Sequence, residues 1–133
     1  MDIIFQLRQS LVTQEDQIKQ LNQQIQQIIY AQQTVVNRKK ALNQQLLDTN
    51  SALIQQNQLL KNTKTDSETR FKAIDSLATN SSSQKHITAD IQALNEKSIQ
   101  LQQQLNQLQQ LKNKALASRT QELQVIQEES GKK

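Results

Sequence analysis

The residues able to do chemistry are few and far apart. His86 is the single histidine, and Asp90 stands four residues on, a spacing that puts both on one face of a helix. An imidazole with a carboxylate supplies two metal ligands, or a base with an orienting group. A closed structural metal site needs four ligands, and a general base needs a nucleophile to activate; the sequence around His86 offers neither. Cysteine is absent, which removes disulfides, zinc–thiolate sites and thiol nucleophiles. The one glycine is Gly131, so there is no glycine-rich loop to wrap a phosphate. The carboxylates read as exposed side chains in helical context. No catalytic, cofactor-binding or metal-binding residue and no cofactor is expected, and the chain reads as a non-enzyme.

Arg38-Lys39-Lys40 is the remaining cluster. The formal net charge is +4, and between Gln17 and Thr65 Asp48 is the sole acid against Lys19, Arg38, Lys39, Lys40, Lys61 and Lys64. Nucleic-acid surfaces carry a dense basic stripe, often with aromatics for stacking. Here aromatics make up 2% of the chain, and three consecutive helical residues point in three directions. The cluster reads as a solvated helix surface, with a phosphate-binding patch as the sharper alternative.

The element that must carry these residues runs from Ile4 to Leu60. Its seam positions are Ile4, Leu7, Leu11, Gln14, Ile18, Leu21, Ile25, Ile28, Gln32, Val35, Lys39, Leu42, Leu46, Thr49, Leu53, Gln56 and Leu60, spaced alternately by three and four without a skip. An α-helix drifts about 20° per heptad against a strict sevenfold pattern, so a run this long implies supercoiling around a partner helix. There is no proline, and the outer face is dominated by glutamine, a good helix former. Ile25 to Val36 is the widest apolar zone, because Ile29, Ala31 and Val36 flank the seam; extra helices are expected to pack there. Lys39 sits in the seam itself, where it either specifies register or buries its stem and keeps its ammonium wet; the second is favoured. Ile3, Ile4, Phe5 and Leu7 make an apolar first turn, read as an end layer or a docking tip.

After Leu60 the apolar signal fades, and Thr65-Asp66-Ser67-Glu68 has the form of a capping box with Thr65 at the cap. Because Ile74 and Leu77 resume the same frame, an unbroken helix over 1–78 with a weak point at 61–70 is favoured over a reversal there. A turn is expected at 79–84, where Asn80 and Ser81 to Ser83 compete with helix by bonding their own backbone. A second heptad helix follows over 85–129, with Ile87, Ile91, Leu94, Ser98, Leu101, Leu105 and Leu108 in its seam. Past Leu108 the strict frame holds Lys112, Ala115, Arg119 and Glu122, and the apolar face is expected to shift to Leu111, Leu116, Leu123, Val125 and Ile126. Residues 130–133 form a polar tail. With the turn at 79–84, the first third of the chain would lack an intramolecular partner.

Phe5-Gln6-Leu7-Arg8-Gln9-Ser10-Leu11, opening a long coiled coil, resembles the stalk proteins of flagellar and type III export ATPases. The two-helix layout resembles prefoldin subunits, although the β-hairpin that prefoldins carry between their helices is missing. No residue or activity is carried over from either.

The expected fold is all-α: long coiled-coil helices forming a hairpin within an oligomer or larger assembly. The expected function is a structural or scaffold subunit. The interaction seam would be Ile4, Leu7, Leu11, Ile18, Leu21, Ile25, Ile28, Val35, Leu42, Leu46, Leu53, Leu60, Ile91, Leu94, Leu101, Leu105 and Leu108, meeting a second copy or another protein. The alternative is a small helical-hairpin chaperone or adaptor that binds a partner helix, for example an export-stalk-like protein. A nucleic-acid-associated structural protein comes third and rests only on the basic first half. With no signal peptide and no apolar run beyond four residues, an intracellular protein, soluble or held in an assembly, is expected.

Overall fold

The computed structural model describes residues 3–62 and 66–131, and 98% of them are helical, with no strand among them. Helix α1 spans Ile3–Lys61 and helix α2 spans Ser67–Gly131. The two pack against each other as a helical hairpin. Bonds between them join Ser10 to Glu122, Gln32 to Gln102 and Asn50 to Gln84, so the sequence separation falls from 112 to 70 to 34 along α1. That progression defines an antiparallel pair.

The reversal lies between Lys61 and Ser67, not at 79–84, and the helix expected over 1–78 ends at Lys61. Two local reasons and one global reason favour this place. Asn62 to Ser67 is a run of short polar residues around one lysine, with propensity for caps and turns. Asp66 caps α2 by accepting the Thr69 amide at 2.7 Å. The capping box read at Thr65 falls outside the described residues, as do Thr63, Asp2 and the last two lysines of the polar tail. The global reason is length. A mid-chain reversal gives arms of 59 and 65 residues, so nearly every apolar seam position finds a partner. A reversal at 79–84 would leave some ten isoleucine and leucine side chains wet, at roughly 1.5–3 kcal/mol each.

The serines at 81–83 lie inside α2. Ser81 and Ser83 are half-buried, and Gln84 donates to Asn50 Oδ1 across the pair at 2.7 Å. Their cost to helix propensity is small per residue, and tertiary pairing overrides it.

Along α1 every one of the seventeen seam positions from Ile4 to Leu60 is buried or half-buried. Along α2 the same spacing holds without interruption: Ala73, Leu77, Asn80, Gln84, Ile87, Ile91, Leu94, Ser98, Leu101, Leu105, Leu108, Lys112, Ala115, Arg119, Glu122, Ile126 and Glu129 are all shielded. The expected frame shift past Leu108 therefore does not occur. Of the five residues expected to take over, Leu111, Leu123 and Val125 stay 40–51% exposed, Leu116 is half-buried beside the seam and Ile126 is itself a seam position, while Lys112, Arg119 and Glu122 are half-buried in the seam. At Arg119 and Glu122 α1 answers the polar frame with polar side chains of its own: Glu15, Ser10 and Gln14.

The chain divides into two compact units. Unit 1 combines residues 1–32 with 100–133; its most buried side chains are Ile25, Leu101 and Leu105. Unit 2 is Gln33–Ile99, centred on Val35, Leu42 and Ala73. Leu42 is the most enclosed, at 2% exposure.

Candidate interaction faces

None of the seam residues is exposed. Ile25, Val35, Leu42, Leu101 and Leu105 are buried, and Ile4, Leu7, Leu11, Ile18, Leu21, Ile28, Leu46, Leu53, Leu60, Ile91, Leu94 and Leu108 are half-buried. The expectation that the first third lacks an intramolecular partner fails, because Ser10, Gln14, Glu15 and Gln32 all bond to α2.

In unit 1 the seam includes a polar cluster. Glu122 Oε1 accepts from Ser10 Oγ at 3.0 Å and from Gln14 Nε2 at 2.9 Å. Arg119 donates to Glu15 at 3.1 Å in a pair that is partly open to solvent and so contributes little by charge alone. Gln14 Oε1, Arg119 Nε and Glu122 Oε2 are buried without hydrogen-bond partners. Such a layer ties Ser10 and Gln14 to one acceptor, which fixes register, and leaves polar atoms unsatisfied, which costs stability.

The helices also carry apolar side chains on their outward flanks. With seam positions labelled a and d, positions b and e lie together on one flank and c and g on the other. In an antiparallel pair, equivalent flanks of both helices share one broad face. The groove lined by Ala52, Leu59, Thr69 and Ser76, all at position g, shows this directly in unit 2. The opposite face of unit 2 carries Val36, Leu47, Ile54, Phe71, Ile74 and Ile99 at b and e, each 49–70% exposed. Grooves run along it beside Val36, Lys39 and Lys40 on α1, and beside Arg70, Phe71 and Ile74 on α2. Lys39 is half-buried and lines the first of these. In unit 1 Phe5, Val12 and Ile29 on α1 and Leu123 on α2 occupy the same positions.

Reading the seam alone missed these rows. A signal existed: Phe5 to Val12, Ile29 to Val36 and Leu47 to Ile54 are each separated by seven, a second sevenfold series beside the first.

His86 and Asp90 are both exposed on α2. Among the described residues there is no group of three or more side chains able to hold a metal ion. No described helix is long and apolar enough to cross a membrane. No protein-family model matches the sequence, and no curated protein or solved structure matches it. The resemblance of Phe5 to Leu11 to export-ATPase stalk proteins accordingly carries no family assignment.

Proposed function

We propose that this chain is a non-enzymatic coiled-coil hairpin that serves as a structural, scaffold-type subunit bracing a larger protein assembly. One observation carries the reading: after α1 and α2 have filled their common seam, six large apolar side chains of unit 2 remain on one outward face. A surface patch of that kind supports protein contact. The seam supports the bracing role more than the capture of a partner helix between α1 and α2, because its leucines and isoleucines are already paired within the chain.

The test is the size of the native species. In a gentle extract of the source cells, the full chain should travel in a complex much larger than one copy. Purified alone, it should be strongly helical by circular dichroism. A chain that runs as a free monomer in the extract overturns the reading.

A further inference from the structure

The b/e face of unit 2 carries cations without an acid, whereas the c/g face mixes both signs, with Arg38, Lys72 and Lys97 beside Asp48 and Asp90. Lys40, Lys61 and Lys85 stand at position b among the six apolar side chains, and the ammonium-bearing Lys39 and the guanidinium-bearing Arg70 line its grooves. No acid of unit 2 joins them. Asp48, Glu68, Asp75, Asp90 and Glu96 fall at c, f or g, and Asp66 is used as the cap of α2. The polar residues between are uncharged, among them Gln33, Asn43, Ser81, Thr88 and Asn95.

We infer that this face is a docking site for an acidic amphipathic helix of another protein, laid over the b/e flanks of α1 and α2 as a third helix outside their filled seam. The inference rests on the bracing function proposed above and names the partner's chemistry. An incoming helix would set its apolar stripe against Leu47, Ile54 and Ile99 and its flanking carboxylates against Lys40 and Lys85. A second copy of this chain does not fit: apposing two such faces sets lysines against lysines with no carboxylate between them. A nucleic acid would leave the aliphatic side chains without stacking partners.

The probe is a labelled synthetic peptide of four heptads with leucine at a and d and glutamate on the flanks. It is titrated with the full chain and read by fluorescence anisotropy. Controls are the same peptide with lysine for glutamate, a scrambled glutamate peptide of equal composition, phosphatidylserine vesicles and single-stranded RNA. The glutamate peptide should bind at least about tenfold more tightly than either peptide control, and its affinity should fall as salt rises. Leu47→Gln, Ile54→Gln and Ile99→Gln together should weaken it at least about tenfold without loss of helicity. Lys40→Glu with Lys85→Glu should transfer the preference to the lysine peptide, which keeps the test decisive should the triple variant misfold. Equal binding of the scrambled peptide, binding unaffected by both variants, or vesicle, RNA or self-association that depends on the same apolar residues overturns the inference. The native complex separates the two claims. If it persists in the triple variant, the docking site is wrong and the bracing role stands; if there is no complex at all, the bracing role falls.

Discussion

Asp66 holds the first turn of α2 through Thr69, whose side-chain hydroxyl and backbone amide both donate to it. Those bonds favour the ionised carboxyl, side-chain bond first, and hold it below its ordinary pKa. A depressed folded-state pKa stabilises fully above the unfolded-state value, and that contribution disappears as pH falls through the folded value. Asp66→Ala should therefore lower the thermal midpoint at neutral pH, whereas Asp66→Asn should keep the cap and lose its acid sensitivity. Melting curves from neutral pH into the acid range, compared among the three proteins, check both. An Asp66→Asn protein with the wild-type acid response would show that this carboxyl does not contribute. The nearby Glu68–Lys72 pair at 3.4 Å is exposed on both sides and should not mask the effect.

At the scale of the element, the helices were legible and their ends were not. Leucine and isoleucine at alternate steps of three and four admit only a helix, and lack of proline leaves nothing to break it within the run. Two stretches, Asn62 to Ser67 and Asn80 to Ser83, carry the same cap-forming residue types, so local propensity could not choose between them. Matched arm length chose, and that is a property of the whole chain. The late seam of α2 was misread for a related reason: Arg119 and Glu122 look like surface residues until Ser10, Gln14 and Glu15 are seen opposite. The outward b/e rows could have been found in the sequence, since their period is the same seven. The polar cluster gives a test of its cost. Glu122→Leu alone strips Ser10 and Gln14 of their acceptor and should destabilise the hairpin by up to about 1–3 kcal/mol. Glu122→Leu with Gln14→Leu replaces two interfacial polar groups with a packed pair and should recover that loss or exceed it. Urea unfolding of both variants measures the difference; a double variant weaker than the single would mean that the cluster stabilises rather than specifies.

Among the described residues, charge pairing between α1 and α2 is sparse and the Arg119–Glu15 pair is partly open to solvent, so salt should change hairpin stability little, in contrast to the docking equilibrium proposed for its outer face. The position of the reversal has a kinetic consequence. Asn50 and Gln84 meet across 34 residues, while Ser10 and Glu122 meet across 112. Closing a loop costs entropy that grows with its length, so contacts beside the reversal can form when those near the chain ends cannot. Folding should then run as a zipper from residues 62–66 outward, each new layer shortening the loop that the next must close. Leu53→Ala should slow refolding, and Leu11→Ala should chiefly hasten unfolding, as read from the two arms of a denaturant chevron. Equal effects on both arms from both substitutions would exclude that order. A chain built this way searches one dimension at a time, and lengthening its reversal should delay every later step while leaving the helices themselves intact.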